Sequence, residues 1–181
     1  MNIFRLANDP VIAAQMQCDK HVVKMIVESA QMISTVHRML DGKLEIRKSK
    51  TGRRQKYYDH PLDDILYKAV HHKHPSTIWT SESVENYKWH YKHFIALCHE
   101  YEFRYGKQHA SYLKLGEVLR NHPMNISHIP ETPFKLAMGS NPECQFPDDP
   151  VKSYRLFYQT KQDRFKMVWT KRNKPEWFNV I

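Results

Sequence analysis

Apolar and polar positions follow helical spacing over most of this chain, and the longest such stretch covers residues 11 to 40. At about 100° per residue its polar side chains share one narrow sector, and apolar residues cover the rest of the surface. The sector contains Gln17, Lys20, His21, Lys24, Glu28, Gln31, Thr35 and Arg38. A helix that is apolar on about two-thirds of its surface lies inside a protein. The strip is therefore either its only solvent-facing edge or the lining of a cleft.

Local signals predict the boundaries of the first elements. Residues 2 to 7 form a short strand or an extended arm, and Asn8 or Asp9 then caps the first helix, with Pro10 at its first position. This helix ends near Asp41-Gly42. Alternating residues on both sides of a glycine turn predict a β-hairpin over 43 to 58.

The rest of the chain is predicted to be helical, with one long interruption. We expect a short helix over 61 to 72, a long helix capped by Thr80-Ser81-Glu82-Ser83 and ended by Gly106, and another over about 110 to 120. Six prolines between Pro123 and Pro150 make 121 to 149 a long Pro-rich loop. Asp148-Asp149-Pro150 then begins the last helix. The predicted fold is mainly α, a single compact helical domain with a small basic hairpin.

Three residues of the polar strip carry candidate chemistry. An imidazole at His21, an amine at Lys24 and a carboxylate at Glu28 share one face and supply an acid, a base and a nucleophile. The alternative is a set of ordinary solvated pairs, such as Lys24 with Glu28. Asp19 and His37 lie in the apolar arc, so each needs a partner from elsewhere in the fold.

The charge distribution favours a polyanionic partner, either nucleic acid or an anionic surface. The 181-residue chain has a net charge of +9 with neutral histidines. In the hairpin, seven cations face one acid, Glu45, which indicates either phosphate binding or a mobile, solvated loop. The hairpin cations are Lys43, Arg47, Lys48, Lys50, Arg53, Arg54 and Lys56.

Cations and aromatic residues also alternate in the last helix and in the tail, residues 171 to 181. This mixture suits backbone neutralisation with base stacking, above all in the tail. In the helix, inward packing of the aromatic side chains with the lysines facing outward is the favoured interpretation. The candidate nucleic-acid contacts outside the hairpin are His74, Arg155, Lys161, Lys171, Arg172 and Trp177.

Composition narrows the class of protein. Cys18, Cys98 and Cys144 are far apart and odd in number, which predicts reduced thiols in a cytoplasmic protein. The apolar stretch at the N-terminus is interrupted too early to be a signal sequence, and no apolar run is long enough to span a membrane. Five scattered glycines form no phosphate loop or dinucleotide fingerprint, so ATP and NAD are not expected. The oligomeric state is left open.

The histidines form no standard metal motif, although there are twelve of them. Two pairs lie one turn apart without the His-Glu-x-x-His arrangement, and Cys18 has no Cys-x-x-Cys neighbour. We therefore predict no cofactor. The alternative is Fe or Zn held by His21, Glu28, His71 and His74, because metal ligands often come from separate elements.

Six short motifs are spread along the chain: Asn8-Asp9-Pro10, Cys18-Asp19-Lys20-His21-Val22-Val23-Lys24-Met25, His74-Pro75, Tyr105-Gly106-Lys107, Asp149-Pro150-Val151 and Pro175-Glu176-Trp177. Through these motifs the whole chain resembles an uncharacterised family of small phage and bacterial proteins.

A more partial resemblance is to the endonuclease-V-type pyrimidine-dimer DNA glycosylases of phages, which are small, basic and all-helical. Their Arg-Glu-x-x-Arg motif would fall on Lys20-His21-x-x-Lys24, with the family's glutamate replaced by His21 or supplied by Glu28. Stretches at 76 to 106 and at the C-terminus add to the likeness. The bulky Asn2 disfavours removal of Met1, which would leave an unusual N-terminal nucleophile.

That resemblance implies a base-excision enzyme of DNA repair, a glycosylase and lyase. An amine, from Met1 or Lys24, would attack the sugar C1′ of a damaged nucleotide and form an imine, with Lys20, His21 or Glu28 assisting. Two alternatives stay open: a metal-dependent enzyme acting on nucleotides or nucleic acid, and a non-catalytic nucleic-acid-binding protein.

Overall fold

The helices and the one hairpin follow in chain order, and the computed structural model describes residues 1 to 179. The helices are α1 (Pro10–Gln15), α2 (Asp19–Asp41), α3 (Pro75–Glu82), α4 (Val84–Tyr105), α5 (Ala110–Leu115) and α6 (Pro150–Gln159). The strands are β1 (Lys43–Lys48) and β2 (Arg54–Asp59). The mainly α fold and the small hairpin are confirmed.

The core lies around α2, which packs against α3, α4 and α5, while α1 packs against α4. Ile26, Ile33 and Val36 of α2 are fully buried, as its wide apolar arc predicts. The two isolated polar residues of that arc have partners, as expected. Asp19 accepts hydrogen bonds from Arg104 and Thr170, and His37 bonds the Tyr87 hydroxyl.

The capping predictions hold at three helix ends. The Asp9 side chain accepts hydrogen bonds from the first turn of α1, and Ser83 caps α4. Asp149 caps α6, with Pro150 as its first residue. Gly106 ends α4 with φ 68, a left-handed conformation that glycine adopts without strain.

The first predicted helix is two helices, because the chain breaks at Met16 to Cys18. Cys18 is extended and begins α2, and its N–H donates to the Tyr158 hydroxyl at 2.9 Å. The Gln17 side chain bonds His93 at 3.0 Å. These contacts come from distant parts of the chain, so helical spacing did not reveal the break.

The helix predicted over 61 to 72 is wrong: this segment forms turns and irregular chain. The buried Arg38 guanidinium donates to the carbonyls of Asp63, Leu66 and Tyr67 in this segment and to that of Tyr58, and it pairs with the Asp63 carboxylate. The carbonyls therefore bond a side chain of α2 instead of N–H groups of their own segment.

In three other segments the structure is more specific than the prediction, and for residues 2 to 7 it selects the extended arm over the strand. Residues 2 to 7 are an extended arm without strand pairing, and Ile3, Phe4 and Leu6 are buried in the core. The helix predicted over 110 to 120 is α5 followed by a short 3₁₀ turn, Val118–Arg120. The Pro-rich loop contains a 3₁₀ turn at Pro142–Cys144.

The hairpin and the cysteines are as predicted. β1 and β2 pair antiparallel from Lys43 with Asp59 to Lys48 with Arg54. Cys18, Cys98 and Cys144 are buried free thiols. None of the helices in residues 1 to 179 combines the length and apolar character needed to cross a membrane.

Candidate active site

The polar strip of α2 divides into two parts. Its C-terminal part, with Thr35 and Arg38, is buried against the 58 to 70 segment. In its N-terminal part His21, Lys24 and Glu28 line one cavity of about 300 Å³. Because positions three, four and seven residues apart share a helix face, these three side chains converge there.

The extended arm places the N-terminal amine in the same cavity. The α-amine of Met1 lies 3.7 Å from Oε2 of Glu28. Asn2 anchors the arm, because its Nδ2 donates to the Ala137 carbonyl at 3.0 Å, and Ile3 is buried next to it. The amine is therefore held by the fold rather than on a free end.

Glu28 lies between two amines. Its Oε1 is 3.2 Å from Nζ of Lys24, while its Oε2 faces the amine of Met1. The Glu28 side chain is only 13% exposed and that of Lys24 is 65% exposed. A carboxylate that is largely shielded from water and has an amine on either side can take up a proton from one of them.

His21 is neutral near pH 7, so it cannot be the acid of the predicted acid, base and nucleophile set. Burial, with the positive charges of Lys24 and Lys161, lowers its pKa to about 4. The Tyr158 hydroxyl accepts the Cys18 N–H and lies 2.7 Å from Nδ1 of His21. A neutral imidazole has one N–H donor and one acceptor nitrogen, so at neutral pH His21 is a hydrogen-bonding group instead of an acid.

The buried lysine of this cavity is Lys161, not Lys24. Its side chain lies over the Phe157 ring, with Nζ 3.4 Å from the centroid, and burial lowers its pKa to about 8. Sequence analysis assigned Lys161 to nucleic-acid binding. Its position one turn after the aromatic residues of α6 was the available signal that it belongs to a pocket wall.

His74 lies beside the N-terminal amine. Its pKa is lowered, mainly by burial and then by the charge of that amine, and a backbone hydrogen bond with Met1 acts in the opposite direction. Its Nδ1 accepts the Ser76 N–H at the start of α3. His74 also borders a second cavity of about 520 Å³, which is lined by Lys56, His71, His72 and Lys73.

Lys20 lies outside the cavity that contains its neighbours. Its side chain is exposed and its Nζ lies 4.6 Å from the centre of the Phe165 ring. Lys20 therefore contributes positive charge at the rim of the site and does not line it.

The hairpin presents most of its cations to solvent. Arg47 pairs with Glu45 at 2.8 Å and lies over the Tyr57 ring. The other six cations are exposed, and no ion pair involves them among residues 1 to 179: Lys43, Lys48, Lys50, Arg53, Arg54 and Lys56. Six cations of the hairpin thus remain available to a polyanion.

The C-terminal candidates are more closely held by the protein. Arg172 makes a bidentate pair with Glu100, and Arg155 donates to the Leu6 carbonyl. Lys171 is exposed but donates to the Phe103 carbonyl, and Trp177 packs on Tyr158. All four line a cavity of about 890 Å³ on the protein surface.

The four residues of the alternative metal site do not form a ligand group. In the described part of the chain, the only cluster of three or more His, Cys, Asp or Glu side chains spaced to share an ion is His37, Asp41 and His60. His21 is bonded to Tyr158, and Glu28 lies between two amines. The proposed set of His21, Glu28, His71 and His74 is therefore not supported.

Comparison of the chain with models of protein families finds no match, and neither do comparisons with curated proteins and with solved structures. The two resemblances described above thus rest on the quoted motifs alone.

Proposed function

We propose that this protein is a DNA-processing enzyme of the base-excision type, a glycosylase and lyase whose nucleophile is the α-amine of Met1. The observation that carries the proposal is the pairing of this amine with the shielded carboxylate of Glu28, 3.7 Å away, in the wall of a cavity. An amine next to a general base is the arrangement that imine chemistry requires.

The reaction begins at the sugar of a damaged nucleotide. Glu28 accepts a proton from the α-ammonium group, and the free amine attacks C1′ as the bond from C1′ to the base breaks. The base leaves with that electron pair. The departed base takes the second amine proton, and the nitrogen lone pair then forms the double bond to C1′ as the bond from C1′ to O4′ breaks. O4′ takes the proton from Glu28, which gives the protonated imine.

The lyase step follows from the imine. A proton-accepting group of the enzyme removes a proton from C2′. The electrons of the C2′–H bond form a C2′–C3′ double bond, and the C3′–O bond breaks with release of the phosphate. Water then hydrolyses the imine and regenerates the amine. The neutral His21 hydrogen-bonds an oxygen of the open sugar.

Met1 is favoured over the two lysines near it. Lys24 is largely exposed, and Lys161, although buried, has no carboxylate within ion-pair distance among the described residues. The Met1 amine is the amine of this cavity that combines shielding with an adjacent base.

The exposed hairpin cations support DNA as the substrate. Lys48, Lys50, Arg53 and Arg54 can neutralise backbone phosphates, and each such contact releases counterions. An enzyme that acts on a base within a duplex has to unstack and extrude the nucleotide, which requires firm contacts to the flanking backbone.

Borohydride trapping tests the proposal. The protein is incubated with a duplex oligonucleotide that contains one abasic site and is then reduced, and mass spectrometry locates the adduct. We expect a covalent complex on the Met1 peptide. Adding one residue before Met1, which displaces the amine, should lower trapping by about 100-fold or more.

Three variants serve as controls. Lys24→Gln and Lys161→Gln should retain trapping within a few-fold, whereas Glu28→Gln should abolish base release from damaged DNA. An adduct on either lysine would overturn the assignment of Met1. The absence of any adduct, with turnover that requires an added metal ion, would replace the proposal with a metal-dependent enzyme. Binding without turnover would leave a nucleic-acid-binding protein.

A further inference from the structure

A second cluster of chemically competent side chains lies at the opposite end of α2. His37 and Asp41 are one turn apart and share a helix face, and His60 follows the last residue of β2. One nitrogen of each imidazole and one carboxylate oxygen lie within 4.8 Å of one another. The folded chain therefore brings together two elements that are separated by the whole hairpin.

His37 and Asp41 are each held by further hydrogen bonds. Nε2 of His37 is 2.8 Å from the Tyr87 hydroxyl, which donates its own proton to the Leu119 carbonyl. His37 thus donates from Nε2 and keeps its lone pair on Nδ1. Hydrogen bonds of this kind orient and fix the tautomer of histidines that bind metals.

The carboxylate of Asp41 is fixed in the same way. Its Oδ2 accepts the Met124 N–H at 2.7 Å, and its Oδ1 accepts the N–H and the side-chain amide of Asn125 at 3.0 Å. These three bonds leave one acceptor position of the carboxylate free.

His60 provides evidence for a bound ligand that does not depend on the spacing of the three side chains. Its residue is only 9% exposed, and its Nε2 is a buried polar atom without a hydrogen-bond partner in residues 1 to 179. Such atoms are rare in folded proteins because they lose the hydrogen bonds of water without replacement. The orphaned nitrogen therefore points to a missing ligand.

We propose that His37, Asp41 and His60 bind a structural zinc ion. Two imidazole nitrogens and one carboxylate oxygen match zinc, which takes such ligands at about 2.0 to 2.2 Å in a tetrahedron. Mg²⁺ and Ca²⁺ prefer oxygen ligands alone. A water molecule completes the tetrahedron, and the ion ties the base of the hairpin to the end of α2. The inference does not depend on the proposed DNA chemistry.

Binding requires one change of tautomer. Nδ1 of His60 accepts the Leu62 N–H at 3.0 Å, so the ring proton is on Nε2 in the absence of an ion. When zinc binds Nε2, that proton moves to Nδ1 and the bond from Leu62 is lost. One backbone hydrogen bond is small against the free energy of binding structural zinc.

Metal titration of the full chain, without an affinity tag and after treatment with a chelator, tests the proposal. We expect one Co²⁺ per molecule with the intense visible bands of tetrahedral coordination, displaced by one equivalent of Zn²⁺. Zinc should also raise Tm. His60→Gln should weaken Zn²⁺ binding by about 100-fold or more and abolish the rise in Tm.

His99→Gln is the matched control, because it removes an exposed histidine that lies outside the cluster. It should bind zinc as the wild type does. Asp41→Asn provides a second test, since it keeps the shape of the side chain and removes its charge, and it should also weaken binding. Equal zinc affinity in the wild type and His60→Gln would overturn the proposal, as would the absence of stoichiometric binding.

Discussion

Replacement of His21 by Asn tests whether the protein holds a neutral imidazole in its candidate active site. The Asn Oδ1 can occupy the position of Nδ1 and accept the proton of the Tyr158 hydroxyl. Both side chains are then uncharged at neutral pH, and only the wild type has a group at this position that titrates in acid. The difference between the two proteins therefore isolates the contribution of the His21 pKa.

The size of the effect follows from the pKa, which is about 4 in the folded protein against an ordinary value of 6.5. Because the folded state favours the neutral imidazole, the unfolded chain takes up its proton first as the pH falls. Stability is full above the ordinary pKa, falls until the folded pKa is reached, and then stays constant. The complete loss is about 3.4 kcal/mol, of which about 2 kcal/mol falls between pH 7 and pH 5.

Urea denaturation at a series of pH values provides the measurement. His37 and His93, with pKa values also lowered to about 4 by burial, contribute equally to both proteins and cancel in the difference. Wild type should lose about 2 kcal/mol more than His21→Asn between pH 7 and pH 5. Identical pH profiles, or an imidazole NMR signal of His21 that titrates near pH 6.5, would refute the reasoning.

Two further predictions concern the hairpin and the segment that follows it. Arg38→Met removes the donor for four backbone carbonyls and should cost about 3 to 5 kcal/mol. Hydrogen exchange should rise over 58 to 70, and an unchanged urea midpoint would contradict this prediction. Replacing Lys48, Arg53 and Arg54 by Ser should reduce the slope of log K against log salt for DNA binding by about 2.7. Arg47→Ser should change this slope less, because Arg47 pairs with Glu45. If the triple substitution leaves the slope unaltered, the hairpin does not contact the DNA.

The sequence predicted the elements that depend on interactions between residues close together in the chain. Caps at Asp9, Ser83 and Asp149, the glycine end of α4 and the hairpin were all visible, because each depends on residues within a few positions of one another. The strip with His21, Lys24 and Glu28 was visible for the same reason, since helical spacing alone puts these residues on one face.

The break at Met16 to Cys18 and the irregular 61 to 72 segment depended on distant partners. Tyr158 holds the N–H of Cys18 from 140 residues away, and Arg38 takes the carbonyls that a helix over 61 to 72 would have used. A local pattern contains no information about such donors. The helical spacing was present in both places and was overridden by tertiary hydrogen bonds.

The sequence by itself thus determined a mainly α chain with a basic hairpin and a candidate reactive face on α2. Only the tertiary structure decided which partners that face has: the amine of Met1 beside Glu28, Lys161 in the cavity wall, and a His21 kept neutral by burial. It also decided that His60 meets His37 and Asp41. The reason is physical, because side-chain chemistry depends on desolvation and on neighbouring charges, and both are set by contacts between residues far apart in the chain.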